Sequence, residues 1–191
     1  MRKMFVLAPI VLGLALALAA CKPAPAMKEY TYPAWGFAAS FWTPPQVVEA
    51  PPGPGRPHML MLESKQAGRV FALSVREGVR PDVAIDQIGP DFAHQAAQAM
   101  GGEVGMMTYT STGQGVLGRE FALTKDGKPL ATVRTYLANG RFYEIAGQSA
   151  LGPDDPAVKD FLDSFRITAA PPAVPPPQNS APANVAPTNA G

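Results

Sequence analysis

The chain has few of the residues that build disulfides, metal sites and nucleophilic active sites. It holds one cysteine and two histidines among 191 residues. One cysteine cannot form a disulfide within the chain, and structural zinc sites take their ligands mainly from cysteine and histidine. The histidines, His58 and His94, are not in a spacing typical of zinc ligation. We therefore expect no metal, no cofactor and no catalytic residue, and the protein is not predicted to be an enzyme.

The sequence also lacks an excess of charge of either sign. Its 16 basic residues stand against 15 acidic ones, and the formal net charge is +1. A surface that binds phosphate groups needs clustered lysine and arginine. The balance therefore argues against nucleic acid as a partner.

The most informative segment that is present lies at the N-terminus. Arg2 and Lys3 precede an uncharged apolar run over residues 4–20, and small residues end that run. This order is typical of a secretion signal. A membrane-spanning helix needs about 20 apolar residues, whereas this run is shorter and contains Pro9 and Gly13. A retained spanning anchor is therefore the lesser alternative.

The end of that run, Leu18-Ala19-Ala20-Cys21, resembles the lipobox of bacterial lipoproteins. The resemblance implies cleavage between Ala20 and Cys21, diacylation of the Cys21 sulfur with chains such as palmitate, and acylation of the new amino terminus. Each buried CH₂ contributes about 0.8 kcal/mol, so two or three chains bind a bilayer stably. Lys22 stands where lipoproteins of the inner membrane tend to have Asp, which implies the periplasmic face of the outer membrane.

Proline content divides the chain into four parts. Residues 1–20 are the predicted signal peptide, 21–33 a lipidated tether, 34–168 one folded domain, and 169–191 a tail rich in proline and alanine. The tail has no charged and no aromatic residue, so it cannot bury enough surface to offset the entropy of ordering. It is predicted to be disordered, and it is interpreted either as a passive spacer or as a proline-rich recognition segment.

Apolar runs in the middle of the chain predict an antiparallel sheet. Large residues at every second position of residues 35–41 give the period of a half-buried strand. Further strands are predicted at residues 59–64, 69–75, 105–111, 115–124, 130–138 and 141–148. Asp126-Gly127 and Asn139-Gly140 favour type I′ turns, because both central positions of such turns need φ > 0. The last three strands are therefore predicted to form a meander.

Two segments change to a helical period. Within residues 81–100 apolar residues recur every fourth position, and Gly89-Pro90 predicts a kink or two short helices there. Asp154-Asp155-Pro156 is typical of a helix cap, and it is followed by an apolar stripe that should lie on the sheet. That stripe consists of Val158, Phe161, Leu162 and Phe165.

Three motifs in this region resemble those of PsbP-like domains, including the DcrB-like lipoproteins. They are Gly118-Arg119-Glu120-Phe121, Asn139-Gly140-Arg141-Phe142-Tyr143 and Phe161-Leu162-Asp163-Ser164-Phe165-Arg166. The resemblance covers residues 30–167. It implies an α+β sandwich, with an antiparallel sheet of about six or seven strands flanked by helices, and a role as an accessory or binding protein rather than a catalyst.

One segment stands out as a candidate contact surface. Residues 43–57 are rich in proline and have no periodicity, and a structureless connection of that length is often functional. We predict that Trp42, Pro52, Gly53 and Arg56 contact a partner protein; a neutral insertion is the alternative.

These features favour a non-catalytic accessory module of the cell envelope that binds an unidentified envelope protein and is anchored in the lipid bilayer through Cys21. The alternative function is a periplasmic carrier of a small apolar ligand between sheet and helix. A carrier requires a sizeable cavity. Its expected lining is Phe92, Met100, Met106 and Met107.

Overall fold

The computed structural model describes residues 26–80 and 82–168. In chain order the elements are β1 (Lys28–Tyr32), a 3-10 turn (Pro33–Trp35), β2 (Phe37–Phe41), β3 (Gln46–Ala50), β4 (Met59–Gln66), β5 (Arg69–Arg76), α1 (Ile85–Met100), β6 (Glu103–Ser111), β7 (Leu117–Lys125), β8 (Lys128–Ala138), β9 (Arg141–Ser149), α2 (Pro156–Ser164) and β10 (Arg166–Ile167). No helix of the described residues is long and apolar enough to cross a membrane.

Two antiparallel sheets and two helices form three layers. The large sheet has seven strands in the order β3-β4-β5-β9-β8-β7-β6, and the small sheet has three in the order β1-β2-β10. The small sheet and α2 cover one face of the large sheet, and α1 lies on the other face. The predicted α+β sandwich with a sheet of about seven strands is confirmed.

The hairpin turns form as the sequence predicts. Asp126 and Gly127 have φ of 51° and 71°, and Asn139 and Gly140 have φ of 54° and 70°. Type I′ turns need these signs, and their twist matches that of the flanking strands. Strands β7, β8 and β9 are consecutive antiparallel neighbours. The predicted meander is confirmed.

The larger core lies between the large sheet and the layer of α2 with the small sheet. Phe161 of α2 sits between Phe41 and Phe71, with ring centroids 5.1 Å from each. Gly147 of β9 permits the close approach of the helix, because a Cβ there would lie 2.7 Å from the Val158 side chain. The apolar stripe of α2 therefore packs on the sheet, as predicted.

Asp155 fixes the start of α2. Its side chain accepts a hydrogen bond from the backbone N–H of Ala157 at 3.0 Å, and Pro156 occupies the first helical position. Arg69 pairs with the Asp155 carboxylate at 2.6 Å. These contacts, led by Arg69, lower the pKa of Asp155 to about 2. The predicted capping role of this residue is confirmed.

The smaller core lies under α1. Ala93 and Ala97 face the sheet and pack with Phe121, Leu123 and Val133. The structure differs here from the prediction, since α1 is a single helix that begins at Ile85, four residues after the predicted start at 81. At the start of α1, the side chain of Gln87 accepts a hydrogen bond from the backbone N–H of the preceding residue Ala84 at 3.2 Å. Pro90 lies within the helix without dividing it in two.

The predicted boundary between tether and domain is wrong. Residues 28–32, assigned to the tether, form β1, which pairs with β2 from Lys28↔Phe41 to Tyr32↔Phe37. Tyr30 and Tyr32 pack against the larger core. Glu29 and Thr31 lie on the opposite, exposed face of this edge strand, so one side of it is solvated and the other is packed. The predicted signal peptide, Cys21 and the predicted tail lie outside the described residues.

The expectation that residues 43–57 lack structure is also wrong. They contain β3, which pairs with β4 from Gln46↔Glu63 to Ala50↔Met59. A tight turn follows, in which the backbone groups of Gly53 and Arg56 exchange two hydrogen bonds of 3.1 and 2.9 Å. Prolines flank β3 but do not interrupt it, which is the position in which a strand tolerates them.

Candidate functional site: edge strand β3 and the open groove

The predicted contact residues do not form one surface. Trp42 is partly buried, and its ring centroid lies 4.9 Å from that of Phe71, so it extends the larger core. Pro52 and Arg56 are exposed and Gly53 is half-buried in the turn that follows β3. The five residues of β3 separate the two groups, and extended chain rises about 3.3 Å per residue. The structure thus divides the predicted site into a packing residue and an exposed turn.

Strand β3 is the most exposed strand of the large sheet, because four of its five residues are exposed. It is an edge strand, hydrogen-bonded to β4 alone within the described residues. Val47 and Val48 point to opposite faces and are 52% and 54% exposed. Neither the small sheet nor α1 extends over β3, so both valines stay in solvent. An exposed apolar edge is a ready template for pairing with another chain.

A groove opens on the face of the sheet that α1 occupies only in part. Helix α1 lies over β6, β7 and β8 and reaches β9 through Phe92 and Phe142, whereas a groove is open beside it on the face of β3, β4, β5 and part of β9. Paired residues of neighbouring strands point to the same face, so the register defines two rows of side chains there. The first row is Val48, Met61, Ser74 and Glu144. The second row is Gln46, Glu63, Ala72 and Ala146.

These eight residues line a groove of about 350 Å³, which we call the open groove. Most of its floor is apolar, and Met61 remains 38% exposed. The volume is at the lower end of the range of small-molecule sites, about 300–1,000 Å³. The groove is therefore large enough for a small ligand. It opens to solvent, unlike a packing defect, which is an enclosed void.

Glu144 is the chemically distinctive residue of the open groove. Burial raises the pKa of its carboxyl group, and the charge of Arg76 opposes that rise only in part. No ion pair within 4.0 Å involves Glu144 in the described part of the chain. Its cross-strand neighbours are Ser74 and Thr135, and the hydroxyl oxygens of both are buried without a hydrogen-bond partner among the described residues. This carboxylate thus sits among unsatisfied polar groups.

An aromatic wall separates the open groove from α1. Phe92 of α1 stacks on Phe142 of β9 at a centroid distance of 4.0 Å. The guanidinium of Arg76 lies 4.6 Å from the Phe92 centroid. This cation–π contact holds the guanidinium of Arg76 on the ring, so Arg76 acts on Glu144 through its charge but forms no ion pair with it.

The two histidines have different surroundings. His94 is exposed on α1. His58 is half-buried, and its Nδ1 lies 2.9 Å from Glu77 while its Nε2 lies 2.8 Å from Glu49. The hydrogen bond to Glu77, followed by that to Glu49, raises the pKa of His58. No group of three or more potential metal ligands occurs within residues 26–80 and 82–168.

The residues proposed to line a carrier cavity are not brought together. Phe92 belongs to the aromatic wall, and Met100 and Met107 pack under α1. Met106 is 82% exposed. It lines a different groove of about 610 Å³ between α2 and the strands β6, β7 and β8. A further depression, of about 850 Å³, lies among hairpin turns at one end of the sheet, and its titratable lining residues are the basic Lys65, Arg69 and Lys128.

Sequence reasoning missed Glu144 and Ser74. The turn Asn139-Gly140 fixes the β8–β9 register and so predicts that Thr135 faces Glu144. Nothing in the sequence, however, shows how far α1 extends across the sheet. Whether Glu144 and Ser74 are open to solvent therefore depends on where α1 packs on the sheet, which the sequence does not show.

Comparisons with known proteins identify the fold. Neither a protein-family model nor a curated protein matches the chain. The structure is similar to the solution structure of cyanobacterial PsbP from Synechocystis sp. PCC 6803, with a TM-score of 0.52 over 80% of this chain and 99% of that chain, at 9% sequence identity. The protein therefore contains a PsbP-like α+β domain, a statement about its fold alone.

Proposed function

We propose that the protein is a non-catalytic accessory module of the bacterial envelope that binds another protein. Lipid on Cys21 holds it on a membrane, and Lys22 favours the periplasmic face of the outer membrane. The resemblance of residues 18–21 to a lipobox supports this anchorage. The balanced charge of the chain suits a protein partner better than nucleic acid.

The exposed edge of β3 is the observation that carries this proposal. Five residues of extended backbone offer unpaired N–H and C=O groups, with Val47 and Val48 beside them. Natural edge strands are usually shielded by lysine, proline or a covering element. Here proline stands only outside the strand. An extended segment of a partner would add to such an edge through main-chain hydrogen bonds and place apolar side chains next to the valines.

Site-specific photo-crosslinking in the native cell tests this proposal. A photoreactive amino acid at Val47 should give a discrete adduct, whereas the same amino acid at Leu151, which is 76% exposed between hairpin turns, should not. Val48→Lys should abolish the adduct because a lysine blocks strand addition, and Val48→Thr should retain it. Equal labelling at both positions, or no adduct at Val47, would contradict strand addition.

Trp42 is a poorer probe of binding than its sequence position suggested. Its ring packs on Phe71, so Trp42→Ala removes core contacts as well as surface. Shortening residues 51–57 to a tight turn, while keeping β3, tests Pro52, Gly53 and Arg56 separately. A loss of crosslinking with an unchanged unfolding midpoint would assign those residues to the interface.

The groove beside α2 favours a carrier as the second candidate. Its apolar lining includes Met106, Ala122 and Leu162, and its volume of about 610 Å³ suits a small apolar molecule between sheet and helix. Ala122→Trp should fill this groove. Native mass spectrometry of protein purified from its own cells should then show a bound mass in the original chain and none in the variant.

A further inference from the structure

The open groove contains a carboxylate, Glu144, that makes no ion pair within 4.0 Å among the described residues. Taking a carboxylate out of water is costly unless a cation or hydrogen-bond donors compensate it. Arg76 would be the natural partner of Glu144, yet its guanidinium lies on the Phe92 ring, and its charge offsets the effect of burial only in part. The protein thus retains a partly compensated acidic group at a site that solvent and ligands can reach.

The titratable residues that line the groove are acidic. Its titratable lining residues are Glu144 and Glu63, and none of the described residues that line it is lysine or arginine. Glu63 is already paired with Lys65 at 2.8 Å. Glu144 therefore provides the free negative charge, and electrostatic complementarity selects a positively charged group.

Ser74 adds a second polar contact beside Glu144. Its hydroxyl oxygen is buried and has no partner within the described ranges, and it stands directly across from Glu144 on the neighbouring strand. A buried hydroxyl left unpaired costs about 1–3 kcal/mol. An ammonium group has three donors, so it satisfies the carboxylate and the hydroxyl at once.

The remaining floor of the groove suits an apolar body. Val48, Met61, Ala72 and Ala146 extend from Glu144 toward β3. Neighbouring strands are about 4.8 Å apart, so the four strands provide a floor somewhat more than ten ångströms across. A short hydrocarbon chain lying along this floor removes apolar surface from water on both partners.

We propose that the open groove binds a small organic cation, a primary ammonium on a short apolar body. The ammonium binds Glu144 and the Ser74 hydroxyl, and the apolar body lies over Met61 and Ala146. The groove shares Val48 with the edge of β3, but its ligand lies on the face of the sheet whereas a partner strand would use the β3 backbone, and it does not depend on the function proposed above.

Methyl NMR of the full chain provides the test, because the protein carries its own reporter and control. Met61 lies on the floor of the groove, and Met106 lines the other groove, beside α2. The probes are n-hexylammonium, n-hexanol and n-hexanoate, which share one chain and differ in charge. Titration with hexylammonium should move the Met61 resonance saturably and leave Met106 in place. Hexanol should bind at least tenfold more weakly, and hexanoate should not bind.

Two variants separate the charge from the shape of the site. Glu144→Gln keeps the size of the side chain and should remove the preference for hexylammonium over hexanol. Ser74→Ala should weaken hexylammonium binding several-fold and leave hexanol unaffected. Unchanged positions of the other methionine methyl resonances will show that both variants are folded.

Each outcome of these titrations either supports or overturns the proposed cation site. The proposal is overturned if Met61 shows no saturable shift, if hexanol binds as tightly as hexylammonium, or if the preference survives Glu144→Gln. A capped lysine amide carries the same ammonium on a polar body. If that amide binds as tightly as hexylammonium, the site would be assigned to a lysine side chain of a partner protein. The proposal of a small organic cation would then be overturned. None of these results bears on crosslinking at Val47.

Discussion

At the scale of single residues, Asp155 links a helix cap to an ion pair. Asp155→Ala removes the cap of α2 and leaves Arg69 without its partner, so we expect a loss of roughly 2–4 kcal/mol in the free energy of unfolding. A urea titration measures this. Asp154→Ala is the matched control, since Asp154 is exposed and its neighbour makes the cap; an equal loss in both variants would contradict the assignment.

The same residue predicts a dependence of stability on acid. The pKa of Asp155 is depressed to about 2 from its ordinary value of 3.8. A group whose pKa is depressed by folding stabilises the protein at pH values above its pKa in the unfolded chain. This stabilisation is lost as the pH falls through its pKa in the folded protein. The difference in stability between the original chain and Asp155→Asn should therefore be constant above about pH 5 and shrink toward pH 2.

His58 predicts the opposite trend near neutrality. Its pKa is raised by Glu77 and Glu49, so the charged form is favoured by folding. This contribution is fully present below the unfolded pKa of about 6.5 and disappears as the pH rises through the folded pKa. Thermal unfolding midpoints of His58→Gln should converge with those of the original chain as the pH rises above neutrality. His94→Gln should follow the original chain throughout, because His94 is exposed.

At the scale of elements, α2 tests the larger core. Phe161 and Phe165 are 0% and 3% exposed, and replacing a buried phenylalanine by alanine costs about 3–5 kcal/mol. Either Phe→Ala variant should lose much of the stability of a domain this size. Asp160→Ala on the exposed side of the same helix should keep the urea midpoint. A midpoint too little changed to measure for both phenylalanine variants would refute the packing of α2.

Elements with strong local signals could be predicted from the sequence, and elements stabilised by distant contacts could not. Asn139-Gly140 and Asp126-Gly127 define their turns with residues that tolerate positive φ, so the meander follows from local chemistry. β1 and β3 are short strands whose main support is pairing with one neighbour each. Flanking proline and mixed charge concealed both of them. For the same reason the split of the predicted contact residues into Trp42 and the turn at Gly53 was not visible from the sequence.

At the scale of the whole molecule, the proposed lipid anchor makes Cys21 the residue that should decide where the protein is found. Its thiol is the sole cysteine sulfur of the chain, so Cys21→Ala removes the acceptor for lipid. We expect the variant to leave the membrane fraction or to remain uncleaved, as judged by fractionation and intact mass. Normal processing with continued sedimentation on membranes would refute the lipid anchor.

The tail should contribute nothing to folding stability. It has no charged or aromatic side chain to bury, and the last described residue, Thr168, is already held by a backbone hydrogen bond of 2.8 Å to Gly36. Deletion of residues 169–191 should leave the urea midpoint unchanged. A lowered midpoint would show that the tail packs on the domain, whereas deletion of residues 166–191 should lower the midpoint because it removes β10.

The small sheet also determines how the domain bears mechanical load. Lys28 of β1 pairs with Phe41 and Ile167 of β10 pairs with Phe37, so the two ends of the domain leave β2 at opposite ends. A pull between the two ends of the domain therefore acts along the strands, in shear, and the hydrogen bonds of each ladder share the force instead of breaking one by one. β10 has two residues and β1 has five. Under tension the C-terminal ladder should yield first, while the connection toward the membrane holds.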